Sequence, residues 1–261
     1  MPETFDARRG RRMLGIWWLR QIYHRAKING ADRIPKTGGA LLVGNHGRLD
    51  FDGFILIRMI LRETGRFTRS LADRLWFRSR LTAAVAHAFG AVEGNRENAQ
   101  SLLRAGELVL TYPGGVPEIM NTRFGQESIR WDGRIGFAKV AILSQVPVIP
   151  VAGIGINNGF VFLTRGEVLG KIIYQKVFGM GAAHSNYRDP LVIGLIPLPL
   201  PFSTAVHLPL PCKVRYFFGP PIEPPGVEDG SHLETLASDF SARVAQSLAE
   251  LMSESRLSPK S

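Results

Sequence analysis

Short apolar runs alternate along the chain with longer stretches that have helical spacing. Four runs have the length and apolar character of strands, at 40–44, 108–112, 148–152 and 213–218. Three longer stretches predict helices, at 54–61, 96–105 and 132–144. This alternation predicts an α/β fold in which helices flank a mixed, largely parallel sheet.

The two ends of the chain predict two further helices. At the C-terminus, Ser231 and Glu234 have the spacing of a capping box, and apolar residues follow at helical spacing to Leu251, which predicts an amphipathic helix. At the N-terminus a basic and aromatic helix is expected, with Arg8, Arg9, Arg11 and Arg12 before Trp17 and Trp18. Contact with a membrane interface and packing against the domain both remain open for this helix.

No stretch of the sequence predicts a helix that spans a membrane. The run 191–210 has the required length, but four prolines interrupt it, so we expect an apolar loop there. The N-terminal apolar run at 13–19 superficially resembles a signal peptide. It is too short for one and is followed at once by Arg20, so we reject that interpretation.

Composition adds a strong positive charge to this picture. The 261 residues are 45% apolar, which suits a folded domain, and 32 Lys and Arg against 22 Asp and Glu give a net charge of +10. Such a charge favours a phospholipid surface, nucleic acid or a phosphorylated cofactor as partner. The chain has no nucleic-acid motif, and tryptophans beside arginines favour lipid. Cys212 is the single cysteine, so we expect no internal disulfide and a reducing compartment.

The densest polar cluster lies between the first predicted strand and the following helix. His46, Asp50 and Asp52 fall there, at a position that sites in α/β sheets favour. A carboxylate beside a histidine orients the imidazole, which can then deprotonate a hydroxyl as general base. The alternative is structural, with Asp50 as helix cap, Asp52 at the helix dipole and His46 bonded to the backbone. The other histidines lack ligand spacing to this cluster, so no metal site is expected.

A second polar segment, 112–118, lies at the end of the strand at 108–112. Gly114 and Gly115 leave backbone amides for an anion or an oxyanion, and Glu118 adds a carboxylate. A plain tight turn explains the same glycines equally well. The sequence has no P-loop, no GxSxG nucleophile elbow and no GxGxxG dinucleotide motif, which argues against those classes of site.

Four segments, taken in order, resemble the glycerolipid acyltransferase superfamily across residues 41–155. They are Asn45-His46 with a following Asp, Gly90 with Arg96, Tyr112-Pro-Gly-Gly115 with Glu118, and Val148-Ile-Pro150. A looser similarity continues through 131–139 and 218–222. The order and spacing of the four segments make the resemblance specific.

Two departures from the family pattern affect the expected chemistry. The commonest form places four residues between His and Asp, which would put Phe51 in the acid's place, so the motif is only similar to His-x4-Asp. The longer spacing and the Pro-Gly-Gly segment look closer to the diacylglycerol-acyltransferase-like membrane branch, and we prefer Asp52 over Asp50 as partner of His46.

The second departure concerns the acceptor. Val116 and Pro117 stand where the family usually has an arginine that is expected to meet an acceptor phosphate. The acceptor therefore need not be a phosphomonoester. Four arginines elsewhere could still supply that contact, namely Arg96, Arg123, Arg130 and Arg134.

The resemblance implies an O-acyltransferase of phospholipid or other lipid metabolism. It would move a fatty acyl group from acyl-CoA or acyl carrier protein to a hydroxyl of a glycerolipid or lysophospholipid, with His46 as general base and no covalent intermediate. Implied site residues are His46, Asp52 and Asp50 for catalysis, and Arg96, Pro113, Gly114, Gly115 and Glu118 for substrate binding.

The same resemblance sets the expected partners and location. These are an acyl thioester co-substrate, a lipid acceptor and an anionic phospholipid surface, with no nucleic acid, no metal and no other cofactor. We expect monotopic attachment at the cytoplasmic face through residues 1–29, followed by an acyltransferase domain at 30–261. The alternative function is a non-catalytic, membrane-peripheral lipid-binding protein on the same fold.

Overall fold

The structure is a computed structural model that describes residues 6–15, 18–47, 52–115, 118, 127–159, 211–227 and 232–257. Several residues named above lie outside these ranges. They are Trp17, Asp50, Phe51, Val116, Pro117, Arg123, the predicted apolar loop at 191–210 and Ser231 of the predicted capping box.

The described residues form strands and helices in alternation. The strands are β1 (Lys27–Asn29), β2 (Ala40–Gly44), β3 (Thr68–Ala72), β4 (Val92–Glu93), β5 (Leu108–Thr111), β6 (Val148–Ile154) and β7 (Arg215–Phe218). The helices are α1 (Ala7–Gly15), α2 (Trp18–Tyr23), α3 (Asp52–Thr64), α4 (Arg80–Ala88), α5 (Arg96–Arg104), α6 (Gly136–Ser144) and α7 (Leu233–Leu257). Short 3-10 turns lie at Ala31–Arg33, Arg74–Phe77 and Ile156–Gly159.

The strands form one mixed, largely parallel sheet, which confirms the predicted fold class. Their order is β1-β7-β6-β2-β5-β3-β4. Neighbouring strands are parallel except for β6 and β7, which are antiparallel. Because β2 lies between β5 and β6 and runs parallel to both, the carboxyl ends of these three strands meet at one edge of the sheet.

Helices cover both faces of the sheet, and successive strand residues alternate between two cores. Leu42 of β2 packs in the core that includes α3, whereas Leu41 and Val43 pack in the core that includes α5, α6 and α7. The whole of β2 is buried, as expected for a central parallel strand. Helix α7 buries Phe240 and Val244 at helical spacing, which confirms the predicted C-terminal amphipathic helix.

The N-terminal segment forms two short helices with different surroundings. In α1, Leu14 is fully buried, and the Arg58 guanidinium of α3 donates a hydrogen bond to its carbonyl at 3.5 Å. In α2, by contrast, Trp18, Leu19 and Ile22 are 47%, 58% and 60% exposed. Packing against the domain therefore describes α1, while α2 presents apolar side chains to solvent. None of the described helices combines the length and the apolar character needed to cross a membrane.

One helix boundary differs from the sequence-based expectation. Helix α6 begins at Gly136 rather than at 132, because Asp132 and Gly133 adopt positive φ angles of 47° and 74° in a turn. Strand β1 pairs with β7, so the sheet begins within residues 1–29, which we predicted as a membrane-associating segment. The division at residue 30 stays a prediction.

Candidate active site

The loop after β2 is fixed by a buried asparagine. The Asn45 side chain accepts a hydrogen bond from the Gly153 amide of β6 at 2.8 Å and donates one to the Gly153 carbonyl at 3.0 Å. Both bonds are buried, where a lost partner is costly. This reciprocal pair sets the point at which the next residue, His46, leaves the sheet.

The structure brings His46 and Asp52 together at the edge where β2 ends. The distance from His46 Nδ1 to Asp52 Oδ1 is 3.6 Å, and the side chains are 16% and 1% exposed. Asp52 begins α3, and its carboxylate accepts hydrogen bonds from the amides of Gly53 at 2.7 Å and Gly47 at 3.3 Å. Asp52 thus complements the helix dipole, as the structural interpretation requires, and also faces the histidine.

A tyrosine that the sequence analysis did not assign to the site completes the surroundings of His46. The Tyr112 ring stacks on the His46 ring with 4.4 Å between centroids and an interplanar angle of 22°. Burial raises the pKa of Tyr112 well above its ordinary value, and the charge of Asp52 raises it further. The pairing of Val43 in β2 with Thr111 in β5 brings the residues after these strands together. The sequence shows an aromatic residue directly after an apolar run, but it does not show this pairing.

Glu118 is buried against Gly114 of the 112–115 segment and does not face solvent. Its side chain is fully buried, and Oε1 accepts a hydrogen bond from the Arg130 amide at 3.1 Å. Burial raises the pKa of Glu118 to about 7, while the hydrogen bonds from the backbones of Arg130 and His46 and the charge of His46 lower it. The Arg130 hydrogen bond ties Glu118 to the loop that holds Arg130, and the expected part of Glu118 in substrate binding stays a prediction.

Two further sets of hydrogen bonds fix the turn at Pro113–Gly115, one within the turn and one from Arg134. The Gly115 amide donates a hydrogen bond to the Tyr112 carbonyl at 3.0 Å, so it is occupied within the turn. The Arg134 guanidinium donates to the carbonyls of Pro113 and Gly114. A Cβ at position 114 would overlap the Glu118 carboxyl, which makes glycine necessary there. Of the two glycine amides expected to meet an oxyanion, only that of Gly114 lacks a partner within the described residues.

Arg96 is the remaining predicted site residue. It is exposed at the start of α5, where the Asn95 side chain caps the helix by accepting a hydrogen bond from the Asn98 amide at 2.8 Å. No hydrogen bond or ion pair among the described residues joins Arg96 to His46 or to the 112–115 turn. The described ranges also contain no group of three or more His, Cys, Asp or Glu side chains placed to hold a metal ion.

Comparison with known families and proteins places this site within a matched region. Residues 25–153 match the family model described as Acyltransferase, and this stretch includes His46, Asp52, Arg96 and the 112–118 segment. A mouse protein named DGAT1/2-independent enzyme synthesizing storage lipids is 31% identical over 201 residues, which are 77% of this chain and 54% of that protein. Its human counterpart is 34% identical over 155 residues, 59% of this chain and 47% of that protein.

Two further matches extend the comparison. An uncharacterized protein of Mycobacterium tuberculosis is 29% identical over 199 residues, covering 74% of this chain and 54% of that protein. The solved structure of the 1-acyl-sn-glycerophosphate (LPA) acyltransferase PlsC from Thermotoga maritima aligns with a TM-score of 0.47 and 18% identity, over 94% of this chain and 84% of that one. The chain spans about half the length of the curated relatives it matches.

Proposed function

The chain belongs to the glycerolipid acyltransferase superfamily, and from that premise we propose that it moves a fatty acyl group from an acyl thioester to a hydroxyl of a glycerolipid or lysophospholipid. The observation that carries the proposal is the pair of His46 and Asp52, which lies at the carboxyl edge of the parallel strands and inside the matched region. The donor is acyl-CoA or acyl carrier protein, and no resident cofactor or metal is proposed.

In the proposed reaction His46 is the general base. The acceptor oxygen attacks the thioester carbonyl carbon while its proton passes to the imidazole, and Asp52 stabilises the resulting imidazolium. The carbon–sulfur bond then breaks, and the imidazolium returns the proton to the departing thiolate. The 3.6 Å between His46 Nδ1 and Asp52 Oδ1 is long for a hydrogen bond, and catalytic pairs of this kind commonly shorten when substrate binds.

The decisive experiment is an assay of thiol release from acyl-CoA and acyl carrier protein against a panel of lipid acceptors. Product identification by mass spectrometry would give the acyl ester formed with each acceptor. We expect thiol release that depends on acceptor and yields a new ester. Donor hydrolysis without any ester, at all acceptor concentrations, would contradict acyl transfer.

We also propose monotopic attachment at the cytoplasmic face, where anionic lipids attract basic segments. The exposed Trp18, Leu19 and Ile22 of α2 would enter the interface, and the arginines of α1 would meet the headgroups. Replacing all three apolar residues by serine should weaken binding to anionic liposomes at least tenfold in a sedimentation assay, because about 1.5 to 3 kcal/mol is gained by fully burying each large apolar side chain.

A matched control for this membrane prediction is Leu143→Ser on α6, which removes an exposed apolar residue from the other face of the sheet. Liposome binding of the control should equal that of the unchanged protein. If the triple serine variant also binds as strongly as the unchanged protein, the contact lies elsewhere, and the run at 191–210 becomes the first segment to test.

For the acceptor we propose that a neutral or bulky-headgroup hydroxyl lipid competes well with lysophosphatidic acid. Val116 and Pro117 replace the usual arginine, and Arg134 directs its guanidinium to the carbonyls of Pro113 and Gly114. We expect the kcat/KM values for lysophosphatidic acid and for monoacylglycerol to differ by less than about 100-fold, or roughly 2.7 kcal/mol. Arg134→Ala should lower both about tenfold, because hydrogen bonds from a charged donor to the turn are lost.

Arg104→Ala on α5 is the matched control for Arg134, because Arg104 is exposed and is not among the four arginines that could contact the acceptor phosphate. The kcat/KM values for lysophosphatidic acid and for monoacylglycerol should both equal those of the unchanged protein. If Arg134→Ala instead lowered the ratio of the two values more than tenfold, the guanidinium would be the acceptor's phosphate ligand and not a brace of the turn.

A further inference from the structure

We propose that Tyr112 positions the catalytic base, and that the face of its ring stabilises the imidazolium formed when His46 takes the acceptor's proton. The proposal rests on the proposed function, because it assumes that His46 acts as general base. Tyr112 has no part in substrate binding in this scheme. It acts through His46.

The ring of Tyr112 is confined on more than one side. It stacks on His46 with centroids 4.4 Å apart and planes 22° from parallel. A Cβ at position 44 would lie 2.9 Å from Tyr112 Cε1, and one at position 53 would lie 3.7 Å from Cε2. The absence of a side chain at Gly44, at the end of β2, therefore leaves room for the ring. Gly53 of α3 lies near the Cε2 edge of the same ring. A ring held this way restricts the plane of the imidazole.

The hydroxyl group of Tyr112 is buried in the protein, and it has no part in positioning His46 in this proposal. Its oxygen is buried with no hydrogen-bond partner among the described residues, and it lies 3.8 Å from the position of a Cβ on Gly53. Burial is the main cause that raises the pKa of Tyr112, followed by Asp52, Tyr216 and Glu118, so the phenol stays neutral. The interaction that His46 receives is that of an uncharged aromatic face.

An aromatic face within about 6 Å attracts a cation through the ring quadrupole. The titratable groups that face His46 among the described residues are Asp52 of α3, Glu118 of the third segment and Tyr112 itself. Tyr216 of β7 contacts Asp52 and not His46: its hydroxyl donates a hydrogen bond to the Asp52 backbone carbonyl at 2.9 Å. The ring face adds to the carboxylates in favouring the imidazolium, so its removal should lower the pKa of His46.

The test compares full-length Tyr112→Phe, which keeps the ring, with Tyr112→Leu, which removes it. For each we would measure kcat and KM between pH 5 and 9, and titrate the His46 ring by NMR after assigning its signal with His46→Ala. Tyr112→Phe should retain kcat within threefold, and the buried unsatisfied hydroxyl predicts equal or higher thermal stability. Tyr112→Leu should lower kcat at least tenfold with KM within threefold, and move the His46 midpoint down by about 0.5 to 1 pH unit.

A matched control is Phe77→Leu, which removes an aromatic ring 5.2 Å from His87 outside the site and should leave the His46 midpoint unchanged. Tyr112→Met replaces the ring by a flexible chain and is used if the leucine variant fails to fold. An equal loss in Tyr112→Phe would assign the effect to the hydroxyl, and an unmoved His46 midpoint in the ring-deleted variants would overturn the proposal. If neither the unchanged protein nor any variant transfers acyl groups, the proposed function fails. The NMR titration then still shows whether the Tyr112 ring stabilises the His46 imidazolium.

Discussion

Replacing His46 by alanine is expected to lower acyl transfer by at least 100-fold while the protein remains folded. The His46 side chain emerges from a loop after β2 and belongs to neither hydrophobic core, so its removal should leave the packing of both cores in place. General-base catalysis is typically worth about 10² to 10⁴ in rate. The measurement is kcat/KM for thiol release under one donor and one acceptor, together with circular dichroism and the thermal midpoint.

His87→Ala on α4 is the matched control, because it removes a histidine that lies beside Phe77 and outside the site. Its activity should stay within threefold of the unchanged protein. A His46→Ala variant that keeps activity within tenfold would remove the general base from the mechanism. If transfer were absent in the unchanged protein while lipid binding persisted in both proteins, the non-catalytic lipid-binding alternative would be favoured.

The sequence predicted the framework of the site because its strands are short, apolar and bounded by polar residues. The three that position the site, β2, β5 and β6, are buried between helices on both faces, and such strands show up as uninterrupted apolar runs. β1, β3 and β4 were not predicted, and β1 has only three residues. β3 contains Arg69 and Ser70, and β4 is only two residues long, so neither has a clear apolar pattern.

Relations between loops were harder to predict than the loops themselves. The sequence placed Glu118 near the glycine turn, but its burial depends on the Arg130 amide, which lies 12 residues further along the chain. Likewise, the stacking of Tyr112 on His46 follows from β5 pairing with β2, and hydrophobic periodicity does not fix which strands are neighbours. Side chains brought together by strand order therefore appeared only in the structure.

Asp52 fits both the structural and the catalytic interpretation of the His46 cluster. Its carboxylate accepts hydrogen bonds from the amides of Gly47 and Gly53 and also faces His46 Nδ1. Asparagine can still accept from one of those amides, but it supplies no negative charge to the imidazolium. Its amide nitrogen can also favour the wrong tautomer of the imidazole. The catalytic function should therefore suffer more than the fold.

Asp52→Asn is accordingly expected to lower kcat by about 10² to 10⁴, with a smaller effect on KM, since an Asp to Asn change beside a catalytic histidine acts through tautomer and charge. Asp50→Asn tests the alternative partner and should cost less activity. Asp6→Asn is the matched structural control, because Asp6 accepts hydrogen bonds from the amides of Arg8 and Arg9 at the start of α1, outside the site. Steady-state kinetics and thermal midpoints of all three variants decide the matter. A larger loss in Asp50→Asn would transfer the role to Asp50, and a loss in Asp52→Asn that merely tracks its thermal destabilisation would reduce Asp52 to a helix cap.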